Sequence, residues 1–172
     1  MTLEKENKKI IIRRALLGLL IYAVAFLQNG SGRFPQLFGV RALLLIPLLV
    51  AIAMFEKEIP GIFFGLFAGA LWDMVASGNN FNAIYLVIVG YVSGMLINTI
   101  MRCNIMTHLI ISGFFITIYF VGYWAFNYLF KGLDGAVVLL LRYQIPGIIY
   151  TAVFAPFIFL AVRGIERTFE VQ

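Results

Sequence analysis

The chain has 172 residues, of which 62% are hydrophobic and only 12% are charged, and its mean hydropathy is +0.97. This composition lies outside the range of water-soluble domains. It also excludes a nucleic-acid-binding domain, because such a domain needs a basic folded surface and this chain, despite its net charge of +5, has no room to form one. A single cysteine, Cys103, excludes an internal disulfide and leaves the redox compartment open.

Charged residues collect between long apolar runs, a spacing that is typical of helices that cross a membrane. The runs predict an all-α integral membrane protein, a bundle of about six transmembrane helices near 15–27, 42–55, 59–75, 83–101, 105–130 and 145–162. The first two are shorter than the roughly 20 residues that cross about 30 Å of hydrocarbon. Either Arg13, Arg14 and Arg41 snorkel toward the headgroups, or residues 29–40 re-enter the membrane, and the sequence leaves both open.

Positive residues predict the topology, since Lys and Arg are retained on the cytoplasmic side. With six spans both termini share one side, and nine of the thirteen positive residues fall there: Lys5, Lys8, Lys9, Arg13, Arg14, Lys57, Arg102, Arg163 and Arg167. The other four are Arg33, Arg41, Lys131 and Arg142. We therefore predict a basic cytoplasmic segment at 1–14, one transmembrane domain at 15–162 and a cytoplasmic tail at 163–172. A cleavable signal ending at Ala23-Val24-Ala25 is the competing interpretation.

The third predicted helix carries a stripe of small residues that ends in a carboxylate. Gly61, Gly65, Gly69 and Asp73 recur every four residues, so they share one helix face. Such a stripe lets a neighbouring helix approach until the backbones touch. The simpler interpretation is helix packing with an interfacial Asp. The alternative is that Asp73 holds a neighbouring helix or a partner subunit through hydrogen bonds.

A stripe with the same period follows in the next predicted helix: Gly90, Gly94, Asn98 and Arg102. A polar turn at 77–82 joins the two helices, and Asn82 suits the cap position of the second. The two stripes predict a tightly packed antiparallel hairpin with Asp73 and Asn82 near the same outer surface. This hairpin is the predicted surface for helix packing and partner interaction.

Three motifs follow one another in the middle third of the chain, after the apolar run at 43–47. They are Gly65-Leu66-Phe67-Ala68-Gly69-Ala70-Leu71-Trp72-Asp73, Asn82-Ala83 and Gly90-Tyr91-Val92-Ser93-Gly94. In this order they resemble the rod-shape-determining membrane protein family MreD. Chain length, the basic start and the number of spans extend the resemblance loosely to the whole chain.

The resemblance implies a non-catalytic scaffold or regulator of the complex that elongates bacterial cells and directs peptidoglycan synthesis, located in the cytoplasmic membrane. Its implied partners are MreC, the actin-like MreB, RodA and a class B penicillin-binding protein, besides membrane lipid. The family is similar in fold to the S components of energy-coupling-factor transporters. A substrate-binding subunit for a vitamin or another small molecule is therefore the alternative, and Pro47, Pro146 and Pro156 lie in or at the start of spans, where transporters interrupt helices.

Catalytic residues are not apparent in the sequence. Asp73 is the only acid within or at the edge of a predicted span, and the glutamates are predicted on the cytoplasmic side. With one histidine, His108, and one thiol, the chain predicts neither a metal cluster nor a Cys–His nucleophile. We predict no enzymatic activity and no cofactor, with His108 at a helix entry near the interface.

Three peripheral segments have predicted roles in the membrane interface. The basic residues up to Arg14 suit anionic lipid, and docking to a cytoskeletal protein is the alternative. Residues 133–141 are apolar but too short to span, so they are predicted to lie on the outer surface as an interfacial helix or to touch a periplasmic partner. An aromatic belt is predicted at the outer end of the fifth span, formed by Tyr119, Tyr123, Trp124 and Tyr128.

Overall fold

Long apolar segments form helices in a membrane because each backbone N–H must then find its carbonyl partner within the same segment. The computed structural model describes residues 2–30, 40–75, 82–132 and 135–169, and this part of the chain is all-helical. Its helices are α1 (Thr2–Asn29), α2 (Leu45–Glu56), α3 (Glu58–Asp73), α4 (Asn82–Thr99), α5 (Ile105–Trp124), α6 (Ala136–Leu139) and α7 (Ile145–Thr168). A π-helical turn, Ala125–Leu129, extends α5, and another, Leu140–Gln144, joins α6 to α7.

The helical membrane character predicted from hydropathy is confirmed. Four helical segments in the described residues are long and apolar enough to cross a membrane: Glu6–Asn29, Asn82–Thr99, Ile105–Leu129 and Val137–Thr168. The other two predicted segments are also helical but shorter. With 12 and 16 residues, α2 and α3 extend about 18 and 24 Å, less than the roughly 30 Å of a hydrocarbon core.

The short helix α2 forms the centre of the bundle. All of its residues except Phe55 are buried, packed against α1, α3, α4, α5 and α7. Two side chains satisfy backbone N–H groups at its start: Gln28 Oε1 accepts from Leu45 N at 3.0 Å, and Thr151 Oγ1 accepts from Leu43 N at 3.1 Å. A helix enclosed by protein in this way does not need to reach both membrane surfaces by itself.

The helices alternate in direction, which gathers charged residues at one end of the bundle. Arg13 of α1 contacts Glu56 at the end of α2 and Glu166 near the end of α7. The start of α1 and the end of α7 therefore lie at the same end, which we call the charged end. Because α1 begins at Thr2, residues 2–14 of the predicted basic segment form the first half of this helix.

The interfacial helix predicted at 133–141 is not separate in the described part of that segment. Residues from Ala136 onward are helical and continue through the π-helical turn into α7. Pro146 has no N–H to donate, and a π-helical adjustment before it is one way in which a membrane helix passes a proline. Leu133 and Asp134 lie outside the described residues, as do 31–39 of the predicted re-entrant segment and 77–81 of the predicted polar turn.

Candidate functional site

The two glycine stripes face each other across the contact between α3 and α4. A Cβ atom added to Gly61 would lie 2.7 Å from the carbonyl oxygen of Gly90, and one added to Gly90 would clash with the carbonyl of Gly61. One turn along, a Cβ on Gly65 would lie 2.6 Å from the carbonyl oxygen of Leu86. Both distances are far below ordinary van der Waals contact, so the two backbones touch directly, as glycine alone permits.

The two backbones approach each other equally closely at both ends of this contact. A Cβ on Gly69 would overlap the backbone of Ala83 at the start of α4, and one on Gly94 would overlap the backbone of Lys57 and Glu58 at the start of α3. All five glycines of the two stripes are buried. The α3–α4 pair is thus packed backbone to backbone over its whole length.

Asp73, the last residue of α3, caps the start of α4. Its Oδ1 accepts from the backbone N–H of Asn82 at 3.3 Å, and its Oδ2 accepts from that of Ala83 at 3.0 Å. The first N–H groups of a helix have no partner within the helix and carry the positive end of the helix dipole, so a carboxylate is suited to this place. The capping oxygens come from Asp73, whereas the side chain of Asn82 faces α5.

Aromatic residues join this corner to α5. Tyr119 donates its hydroxyl to Asn82 Oδ1 at 2.8 Å, and Tyr85 donates to the carbonyl of Phe115 at 2.5 Å. The Tyr119 ring lies 5.2 Å from the rings of both Trp72 and Tyr85. We call this group, Trp72, Asp73, Asn82, Tyr85 and Tyr119, the Asp73 corner. Tyr119 was predicted in the aromatic belt, but it is half-buried here because its hydroxyl finds a partner on α4.

The remaining predicted site residues lie away from the backbone contact. Tyr91 is exposed on the outer face of α4, and Arg102 is exposed beyond the end of that helix. Asn98 is also exposed, and its Nδ2 donates to Glu58 Oε1 at 3.4 Å, a long hydrogen bond. The structure therefore brings together the glycines, Asp73 and Asn82, whereas Tyr91 and Arg102 present side chains outward.

A buried ionic cluster at the charged end was missed by sequence reasoning. Arg13 bridges two carboxylates, with Nη2 2.5 Å from Glu56 Oε1 and Nη1 3.3 Å from Glu166 Oε2, and Arg14 Nε donates to Glu56 Oε2 at 2.9 Å. Only 1% of the Glu56 side chain is exposed. The two arginines, predicted to meet anionic lipid, are thus engaged with carboxylates. A clue was available in Glu56, an acid that directly follows the apolar run at 42–55.

His108 lies in the first turn of α5, at the helix entry predicted for it. It is fully buried because this turn packs against α2, which the sequence did not predict. Its Nε2 donates to the Pro47 carbonyl at 2.9 Å, and its ring lies 5.1 Å from that of Phe159. Ser112 Oγ is 3.2 Å from the same nitrogen. Within the described residues, no group of three His, Cys, Asp or Glu side chains could hold a metal ion.

Cys103 lies in the turn between α4 and α5, outside the candidate spans, at the charged end. Desolvation by the surrounding protein raises the pKa of its thiol, while the positive charge of Arg163 opposes the rise and the negative charge of Glu166 adds to it. A raised pKa leaves less thiolate at neutral pH, so Cys103 is a poor nucleophile.

No family model, curated protein or solved structure matches the chain.

Proposed function

We propose that the chain is a non-catalytic membrane scaffold of the bacterial cell-elongation complex, comparable to the MreD family that its middle third resembles. In this proposal it lies in the cytoplasmic membrane with both termini in the cytoplasm. Its partners are MreC, MreB, RodA and a class B penicillin-binding protein. The six helical segments all cross the membrane, α2 and α3 with the help of neighbouring protein, in an arrangement like that of S components.

The observation that carries the proposal is the backbone contact between α3 and α4, closed by Asp73 at one end. Two helices joined in this way form a rigid unit, because neither can shift without a backbone clash. Their outward faces carry exposed side chains, among them Phe63 and Phe67 of α3 and Tyr91 of α4. A rigid pair of helices with an apolar outer surface is suited to hold the transmembrane helices of other proteins.

The filled centre of the bundle favours a scaffold over a transporter subunit. A subunit that encloses a small molecule at the centre of its bundle needs a cavity there. Here α2 occupies the axis, and its side chains from Leu45 to Ala53 are almost completely buried. Pro47, in the first turn of α2, does not interrupt that helix.

The proposal is tested by affinity purification of a tagged copy from native membranes in mild detergent, followed by mass spectrometry of co-purifying proteins and extracted small molecules. We expect MreC and the wall-synthesis pair to co-purify without a stoichiometric metabolite. Recovery of ATP-binding-cassette subunits or a bound vitamin would instead establish the transporter function.

A pair of surface variants locates the partner. Tyr91→Ala alters the outer face of α4, and Phe114→Ala alters an exposed position of α5 that is not part of the α3–α4 pair. We expect Tyr91→Ala to reduce partner recovery and Phe114→Ala to leave it unchanged. Equal recovery with both would mean that partners do not dock on this face of α4.

A further inference from the structure

A groove of about 560 Å³ opens at the charged end, beside α1 and the start of α3. Cavities of this size hold small ligands or lipid headgroups. One part of its lining is charged and the other is apolar: Arg14, Glu56, Lys57 and Glu58 form the first, and Ile59 and Phe63 belong to the second. The groove therefore has the two-part character of a phospholipid, which has a charged head and apolar chains.

The four charged residues that line the groove sum to zero, but the two whose side chains are exposed, Arg14 and Lys57, are both positive. Glu56 is almost completely covered and is paired with Arg13 and Arg14. Glu58 is half-buried: its Oε1 accepts from Asn98 Nδ2 at 3.4 Å, and its Oε2 is buried without a hydrogen-bond partner. Arg14, by contrast, uses only its Nε in this pairing and keeps 49% of its side chain exposed, and Lys57 is exposed. The exposed charged side chains of the groove are therefore suited to an anion, whereas both carboxylates are partly or completely covered.

Lys57 has a strained backbone conformation. It is the single residue between α2 and α3, with φ 72° and ψ −171°, a region of the Ramachandran plot that is occupied almost only by glycine. Glycine at this position would relieve the strain. Lys57 is exposed and lines the same groove as Arg14, so a lysine here adds a cation to the groove that glycine would not supply.

The apolar side of the groove continues onto the membrane-facing surface of α3. Ile59 and Phe63 are 64% and 68% exposed and lie four residues apart, on one face of the helix. Acyl chains attached to a headgroup in the groove would follow this face toward the membrane interior. A free phosphate ion would leave the apolar side unused.

We propose that this groove binds the phosphate headgroup of an anionic phospholipid, with Lys57 and Arg14 on the phosphate and Ile59 and Phe63 along the acyl chains. The site is independent of the proposed scaffold function. It places one lipid molecule at the junction of α1, α2 and α3, where it covers the turn between α2 and α3.

The test is native mass spectrometry of the full-length protein in mild detergent, titrated with phosphatidylglycerol or with phosphatidylcholine, to obtain the affinity for the first bound lipid. We expect the wild-type protein to prefer phosphatidylglycerol and Lys57→Gly to bind it about fivefold more weakly, the usual effect of one lysine near an anionic membrane surface. The matched control is Arg167→Gln, which removes an exposed cation at the same end of the bundle and should leave the affinity unchanged.

Stability of the same variants separates binding from folding. Because glycine relieves the strain at position 57, Lys57→Gly should resist unfolding by sodium dodecyl sulfate as well as or better than the wild type. Equal affinity of Lys57→Gly and wild type would overturn the proposal, as would equal loss in Arg167→Gln, which would indicate general attraction of charge. Equal binding of the two lipids, or displacement of the lipid by inorganic phosphate, would also overturn the lipid assignment.

Discussion

Gly65→Ala tests whether backbone contact holds the α3–α4 pair together. The added methyl group would lie 2.6 Å from the Leu86 carbonyl oxygen and 3.0 Å from the Cα atom of Val87, against 3.4 Å or more in ordinary van der Waals contact. All of these atoms belong to backbone, so no side chain can rotate away. Relief requires α4 to recede by about 0.8 Å, which loosens the neighbouring contacts of the same interface.

The expected cost follows from two opposing effects. Forcing a methyl group into a closely packed site costs about 1–3 kcal/mol. Alanine favours a helix over glycine by about 1 kcal/mol, which offsets part of this cost. Gly122 of α5 provides the matched control, because a Cβ there meets no atom within 4 Å. Gly122→Ala should therefore be neutral or slightly stabilising, and the two variants should differ by about 1–3 kcal/mol.

The purified protein is unfolded in mixed micelles by increasing amounts of sodium dodecyl sulfate. Unfolding is monitored by circular dichroism and by the fluorescence of Trp72 and Trp124. We expect Gly65→Ala to unfold at a lower detergent fraction than Gly122→Ala. Gly65→Leu, with a larger side chain at the same site, should prevent the pairing and deplete the protein from the membrane. If both alanine variants unfold together, close backbone contact does not stabilise this bundle and the argument from the glycines is wrong.

Three other measurements test the two ends of the bundle. Asp73→Asn keeps one acceptor oxygen but loses the charge that caps α4. We therefore expect the unfolding free energy to fall by about 1 kcal/mol and, under the proposed function, partner recovery to weaken. Wild-type values in both assays would refute a role for the charge. Arg13→Ala should lower the unfolding free energy by about 3 kcal/mol, because it leaves Glu56 and Glu166 without their shared cation. Arg14→Ala, at a half-exposed position, should lower it by less than about 1 kcal/mol. Equal losses would contradict a central position of Arg13. Cys103 should react with a membrane-impermeant maleimide from the side that carries the termini. Because its raised pKa limits the amount of thiolate, the reaction should be slower at pH 7 than that of free cysteine and should become faster as the pH rises. Reaction only from the opposite side would rule out the alternating helix order.

Hydropathy was sufficient to predict that the apolar segments are helical, because burial of backbone polar groups in lipid leaves an apolar segment few alternatives to a helix. It did not give the helix bounds, since α1 begins at Thr2 instead of near residue 15. The four-residue spacing of Gly61, Gly65 and Gly69 was also sufficient to predict a helix face that a neighbouring helix can approach closely. It could not show which atoms would meet. Only the fold pairs Gly61 with Gly90 and Gly65 with Leu86, since that register depends on how far α4 slides along α3.

The polar contacts were the least predictable from sequence, because they join residues far apart in the chain. Asp73 was recognised as notable, but its hydrogen bonds to the start of α4 depend on the turn that returns the chain beside it. Arg13, Glu56 and Glu166 come from three helices, and periodicity within one helix carries no information about such a meeting. The sequence predicted His108 at a helix entry, but its burial results from the way α5 packs against α2.

The sequence by itself determined that this protein is a helical membrane protein and which faces of two helices can pack without side chains between them, because hydropathy and small-residue spacing act locally along a helix. The tertiary structure alone decided that α2 forms the centre, that Asp73 caps α4 and that a groove with two accessible cations opens beside Lys57. Each of these depends on the direction and depth at which separate helices meet, and that geometry is set by the packing of the whole bundle.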